Sequence, residues 1–305
     1  MNEMYDLIII GGGPAGLTAS IYAIRKRLNA LTITMDMGGK TNYYLKLPWI
    51  QDYQVIRGGE IVSKFKQELE YLDFAHKMDK VIQVENTEHG YIVGTSSGDN
   101  YETKSIIVAN GVSQKWLEIP GEKEFMGKGI CYSAISYAPL FIDKITTVLG
   151  DGDLALRSAA ELSTVAKTVH IVGPVMDTYD SDLGKRLLDA SNVELFPGFE
   201  VKNISGNEYA NMVALEGPNG EQKELSTDCV FVEKELLPNT DFLKDLVELD
   251  KQGRIVINSI NQTSMPGIFA AGDITNIYAE QVLVAIGEGA KAALSAYDYL
   301  LRKND

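Results

Sequence analysis

Apolar and polar positions alternate in different rhythms along this chain, and each change of rhythm marks an element. Near the start, Tyr5-Asp6-Leu7-Ile8-Ile9-Ile10 is a short β-branched run that predicts a strand, and a cluster of glycines follows it. Residues 17–25 read as a helix, and Leu31-Thr32-Ile33-Thr34-Met35 predicts a strand that ends at Asp36. Over residues 58–74 the spacing becomes helical, with Ile61, Val62, Phe65, Leu69 and Leu72 on one stripe. From residue 81 the pattern changes to short strands. Val81-Ile82-Gln83-Val84, Tyr91-Ile92-Val93 and Ser105-Ile106-Ile107-Val108 are parted by Gly, Asn, Asp and Ser turns. They predict a meander returning to a buried strand that ends at Ala109-Asn110-Gly111.

The opening succession then recurs. Thr146-Thr147-Val148-Leu149 predicts a strand, Gly150-Asp151-Gly152-Asp153-Leu154-Ala155 a turn, and the residues to about 165 a helix. Thr168-Val169-His170-Ile171-Val172 is the next strand. Two such units, about 140 residues apart, fit two domains of common size. A second meander is expected over residues 193–231, a return to the first domain near Pro238-Asn239-Thr240, a strand over 254–258, and a closing helix over 280–301.

The glycines carry chemistry. A strand, then Gly11-Gly12-Gly13-Pro14-Ala15-Gly16, then a helix is a dinucleotide-binding fingerprint. Gly11 allows the tight turn, Gly13 lets a pyrophosphate approach the backbone, and Gly16 lets helix pack on strand. The helix N-terminus would face the phosphates. Asp36 follows at the required spacing, placed to accept from an adenosine ribose hydroxyl. The turn Met37-Gly38-Gly39-Lys40 can follow a bound cofactor closely.

Composition narrows the partners. The chain has 305 residues, 45% hydrophobic, with a net charge of −14, which argues against nucleic acid or an anionic membrane. Its dense basic run, Arg25-Lys26-Arg27, reads as a solvated helix C-terminus. No apolar run approaches a membrane span, and Met1-Asn2-Glu3 begins no signal peptide, so a cytoplasmic protein is expected. Cys131 and Cys229 describe neither a disulfide framework nor a zinc site, and His76, His89 and His170 are isolated, so no metal site is expected.

These residues resemble the low-molecular-weight thioredoxin reductase family of two-domain flavoproteins. The resemblance rests on residues 11–16 and 35–40, Ala109-Asn110-Gly111, Pro238-Asn239-Thr240, and residues 266–273 with Gln281. It implies an α/β fold of two Rossmann-like, three-layer ββα domains, the second inserted into the first. An FAD domain would comprise residues 1–114 and 243–305, and a nicotinamide-type domain residues 115–242. It further implies FAD held by Gly11, Gly13, Pro14, Ala15, Gly16, Asp36, Gly38, Gly39, Lys40, Ala109, Gly111, Gly272, Asp273, Gln281 and Val282. Asp273 would hold the ribityl chain while the following helix turns its N-terminus to the isoalloxazine. The family also implies a homodimer.

The departures are as informative. Where the family carries its redox-active Cys-x-x-Cys and an aspartate, alignment from Gly127-Lys128-Gly129 gives Ser133-Ala134-Ile135-Ser136-Tyr137. A serine hydroxyl forms no disulfide. Cys131 is expected in a loop near the flavin, on the same side as Ser133 if that segment is extended, which leaves a reactive thiol there open. Trp49, Trp116 and Tyr137 could lie near the flavin, with core packing the better reading for the tryptophans. Asp151 adds negative charge where a second pyrophosphate would sit. Gly173-Pro174-Val175, with Asp177, Asp180 and Asp182 beyond, replaces the family's arginines for a 2′-phosphate, which makes NADPH an unfavourable ligand. A weak NADH site, a second flavin nucleotide or an empty site stay open. Glu280 stands where the family has a basic residue near Gln281, which puts that contact to FAD in question. The functional expectation is an FAD oxidoreductase passing electrons without a dithiol, from a small carrier such as ferredoxin or from NADH. The alternative is an FAD-keeping binding or sensing module. A working thioredoxin reductase ranks last.

Overall fold

The computed structural model describes residues 4–42, 45–49, 58–132, 134–174, 176–243 and 245–303, and every structural statement below concerns these. They divide into two compact units: residues 1–42, 55–113 and 237–305, and residues 43–54 with 114–236. The expected division, 1–114 with 243–305 and 115–242, differs from these units in where the chain returns and in the segment 43–54.

In the first unit, Leu7–Ile10 is the central strand of a five-stranded parallel sheet, buried along its whole length. The order is Ile268–Ala270, Ile106–Val108, Leu7–Ile10, Ala30–Thr34, His76–Met78. Ile8 lies opposite both Leu31 and Ile106. Successive side chains on a strand point to opposite faces, so this run must be apolar throughout. Ile8 and Ile10 pack with Leu31, Ile33, Val84 and Val93. That places the antiparallel meander Val81–Asn86, Tyr91–Thr95, Asn100–Thr103 on one face. Leu7 and Ile9 pack with Ala15, Ala19, Ala292 and Ala296, which puts the helices Pro14–Arg25 and Val282–Lys303 on the other. Small residues let those helices come very close: a Cβ on Gly289 would lie 2.1 Å from the carbonyl oxygen of Ala15.

The second unit repeats the layering with different residues. Its parallel sheet runs Val193–Pro197, Thr168–Gly173, Ile145–Gly150, Cys229–Glu233, Ile130–Cys131. Val148, Ile171 and Phe231 face Ala155, Leu156, Ala159 and Leu162 of helix Gly152–Ser163. Leu149, Val172, Val230 and Val232 face Ile204, Val213, Leu215 and Leu225 of the meander Glu200–Gly206, Ala210–Glu216, Gln222–Ser226. Residues 45–49 join this unit. Leu47 is buried in its core, and Trp49 donates Nε1–H to the Leu140 carbonyl at 3.0 Å with its ring edge-on to Phe141.

Four expectations need correction. The region 193–231 is not one meander, because its first and last strands belong to the parallel sheet. Residues 254–258 form no strand; Ile255 makes only isolated bridges, with Leu249 and Thr275. The second helix ends at Glu70, and the last begins at Val282. The strands His76–Met78 and Ile130–Cys131 have no counterpart in the sequence pattern. Among the described residues no helix is long and apolar enough to cross a membrane.

Candidate functional site

The glycine turn of the first unit is built against the ends of three parallel strands. A Cβ on Gly16 would lie 1.9 Å from the Gly11 carbonyl oxygen, so only glycine lets the helix start this close to the turn. Gly13 differs. It caps the helix with φ −73°, which any residue adopts, and nothing lies within 4 Å of where its Cβ would be. Its hydrogen atoms therefore border open space at a helix N-terminus with no acidic residue in its first turn. Pro14 occupies the first helical positions, where its missing N–H costs nothing, and Ala15 is buried.

Two further segments close on this opening. Gly38 donates its N–H to the Gly12 carbonyl at 2.7 Å, and a Cβ on Gly39 would come 3.2 Å from Gly13 Cα. Asp36 is exposed, with Oδ1 accepting from Gly39 N–H at 2.7 Å. On the neighbouring strand end, Ala109 is buried beside Gly11. Asn110 and Asn239 exchange side-chain to backbone bonds, Nδ2 to carbonyl, at 2.8 and 3.1 Å. Asn110 Oδ1 is buried with no partner, and Gly111 faces open space. A buried orphan acceptor is costly and calls for a donor.

The last strand, Ile268–Ala270, brings Gly272 against the first helix, where a Cβ would lie 3.1 Å from that of Ala15. Asp273 follows, and Lys40 Nζ lies 3.0 Å from its Oδ2 and 3.6 Å from Glu280 Oε2. Glu280 is paired in turn with Arg254, whose second nitrogen donates to the Asp273 carbonyl at 3.0 Å. The sequence reading missed Arg254, which lies in a stretch read as a strand. Gln281 accepts from Ala285 N–H through its carbonyl at 2.9 Å. Val282 begins the helix, and its side chain packs on the apolar cluster of Leu17, Ile21, Met37 and Val62.

The turn in the second unit has other chemistry. A Cβ on Gly150 would lie 2.1 Å from the Glu233 carbonyl oxygen, whereas Gly152 borders open space. Asp151 caps the helix and Asp153 stands in its first turn. Both are partnered, Asp151 with Lys234 at 3.4 Å and Asp153 with Arg157 at 2.7 Å. The strand ending at Gly173 leads to Pro174, which is buried, and to Asp177, which is exposed; Val175 lies outside the described residues.

Ser133 also lies outside them. Ser136 is exposed on the short helix Ala134–Tyr137, whose first N–H is held by the buried carboxylate of Glu233 at 2.9 Å. Cys131 requires correction. It sits in a strand of the second unit, not a loop, with Sγ 4.0 Å from that of Cys229 and both side chains buried. Burial pushes the Cys131 thiol well up, with smaller contributions from Cys229 and Glu233, so the reactive thiol left open by the sequence is not there. Trp116 packs edge-on to Tyr132 and, like Trp49, is occupied by packing. No group of three or more His, Cys, Asp or Glu among the described residues could hold a metal.

Two parallel sheets, each bearing a glycine turn and each covered by helices and a meander, define a flavoprotein oxidoreductase of the thioredoxin reductase type. The chain belongs to the pyridine nucleotide-disulphide oxidoreductase family, whose model it matches over residues 5–289. It is 33% identical over 304 residues to the alkyl hydroperoxide reductase flavoprotein component known as AhpF in Staphylococcus aureus (strain NCTC 8325 / PS 47), covering 99% of this chain and 60% of that protein. The chain thus spans about three fifths of the curated relatives it matches. Thioredoxin reductase from Streptococcus pyogenes MGAS5005 superposes with a TM-score of 0.88 at 31% identity, covering 99% of this chain and 100% of that one. For Lactococcus lactis thioredoxin reductase the values are 0.64 and 30%, over 98% and 99%.

Proposed function

We propose that this chain is an FAD-dependent oxidoreductase that passes electrons through its flavin without a redox dithiol. The observation that carries this reading is a contrast within one chain. The first unit keeps an open glycine cradle ringed by Asp36, Lys40 and Asp273, while the chain's two sulfhydryls are buried together and away from Ser136. The residues present fit FAD: the space beside Gly13 and Gly39, the orphaned Asn110 Oδ1 and the acid-free helix N-terminus each suit part of a dinucleotide. When bound, FAD accepts a hydride or single electrons. Gly13 and the helix N–H groups would receive its pyrophosphate, Asp36 a ribose hydroxyl, and Asp273 the ribityl chain.

The donor in this reading is NADH or a small carrier such as ferredoxin. The paired acids of the second turn and the missing arginines after Gly173 favour NADH over NADPH. The run Arg25-Lys26-Arg27 is a poor dock for an acidic carrier. It ends a helix of twelve residues, about 18 Å from the glycine turn, and Arg25 is already paired with Glu68. The protein would be a cytoplasmic homodimer, with Leu283 and Leu294 of the last helix among the apolar side chains left exposed for a second copy.

A second reading, an FAD-keeping sensor with little turnover, is favoured by those same acids, which weaken a nucleotide donor's site. Anaerobic titration of the flavin spectrum with NADH, NADPH and reduced ferredoxin separates the two. Rapid bleaching by NADH or ferredoxin supports the oxidoreductase; no bleaching by any donor supports the sensor; preference for NADPH defeats the ligand assignment. Light scattering settles the dimer.

A further inference from the structure

We infer that Arg254 is a positioning residue for the flavin, supplying from a distant part of the chain the positive charge that Glu280 takes away from the neighbourhood of Gln281. The inference rests on the flavin reading above and deepens it.

Glu280 is anomalous on its own. A carboxylate beside the residues proposed to hold FAD would oppose the negative charge a flavin gains on reduction. The structure shows it answered. Arg254, 12% exposed, pairs with Glu280 through one guanidinium nitrogen and donates from the other to the Asp273 carbonyl at 3.0 Å. One planar fork therefore grips both ends of the connection between strand Ile268–Ala270 and helix Val282–Lys303. A lysine's single ammonium cannot span two such acceptors in fixed geometry. Lys40 completes the set, 3.0 Å from Asp273 and 3.6 Å from Glu280. Two cations and two carboxylates balance, and Lys40 stays nearer Asp273 because Arg254 occupies Glu280.

Removing Arg254 has two separable consequences. The local charge falls from zero to −1, and Glu280 then competes with Asp273 for Lys40. Independently, the Asp273 carbonyl loses its donor and the loop its grip. Flavin potential should follow the charge, and flavin affinity the grip.

The test uses full-length apoprotein titrated with FAD, with midpoint potentials measured on the reconstituted forms. Arg254→Met should weaken FAD binding about tenfold and make the potential more negative. Adding Glu280→Gln to that variant should return the potential toward wild type while affinity stays low. Arg254→Lys, the variant to use should Arg254→Met not fold, should keep the potential and still bind FAD more weakly. Wild-type-like affinity, within about twofold, together with an unchanged potential in both Arg254 variants overturns the inference. So does a potential that Glu280→Gln fails to restore. Wild-type apoprotein that binds no FAD would instead defeat the flavin reading, and this inference with it.

Discussion

The two glycine turns of this chain share a scaffold and differ in what they offer a ligand. Each follows a buried parallel strand, each begins with a glycine whose Cβ would strike a neighbouring carbonyl, and each has a second glycine facing open space. The backbone conditions for bringing a pyrophosphate close are met twice. The side chains then diverge. The first helix has no acid in its opening turn, whereas the second is capped by Asp151 and carries Asp153 beside it. Those carboxylates interact favourably with the helix dipole and oppose an anionic ligand at the same place. A glycine pattern thus reports that a backbone can approach a phosphate, and the residues around it decide whether one is welcome.

The sharpest way to break this contrast is Gly13→Val. The site is open and its φ permits any residue, so the variant should fold as wild type by circular dichroism. Its FAD affinity should fall about 100-fold, about 2.7 kcal/mol, because the side chain fills the cradle. Gly16→Ala, three residues on, should instead lose the fold, its Cβ falling 1.9 Å from a carbonyl oxygen. Full FAD binding by Gly13→Val would mean the cradle lies elsewhere.

A gain of function comes next. Wild type should sustain no reduction of thioredoxin or of a chromogenic disulfide, whether electrons come from NADH, NADPH or reduced ferredoxin. Ser133→Cys with Ser136→Cys should raise thiol production about tenfold over that background, since thiol–disulfide exchange needs both sulfurs. Sustained turnover by wild type that persists in Cys131→Ser would contradict the dithiol-free reading.

The second turn should respond more modestly. Asp151→Asn with Asp153→Asn should tighten NADH binding about threefold to tenfold by calorimetry, from two partly exposed charges at one helix end. Unchanged or weaker binding would show that the acids are not what limits this turn.

The smallest effect concerns pH and the second unit alone. Burial lowers the pKa of His170 from its ordinary 6.5, a shift partly offset by Glu194 and reinforced by Lys223. The ring is therefore neutral in the fold, and the unfolded chain takes up its proton first as pH falls. Its contribution to stability is whole above 6.5 and is lost as pH drops through the lower folded value. Thermal midpoints should fall between pH 7 and 5, and the slope should be shallower in His170→Gln; an identical slope would remove His170 from the account.

Much of the fold is legible in the sequence because its parallel strands are buried on both faces, leaving runs such as Leu7–Ile10 that admit no polar residue. The glycine turns are legible because their spacing is local. Residues 254–258 mislead because their β-branched side chains imitate a strand, yet only Ile255 finds bridging partners and the rest has no sheet edge to join. The strand Ile130–Cys131 escapes notice because two residues make no pattern. The charge quartet is invisible for another reason. Lys40, Arg254, Asp273 and Glu280 are joined only by the fold, and no local spacing announces that Glu280 is neutralised.

The short segment at residues 45–49 bears on how such a protein can be taken apart or inherited. The second unit is not a cassette lying between two joints. Cut out as residues 114–236, it would leave behind Leu47 and Trp49, uncovering Phe141 and leaving the Leu140 carbonyl without its indole donor. A transplant of this unit into another flavoprotein must carry two separate stretches of gene, and a recombination event that moved only the longer one would deliver a core with its seam open.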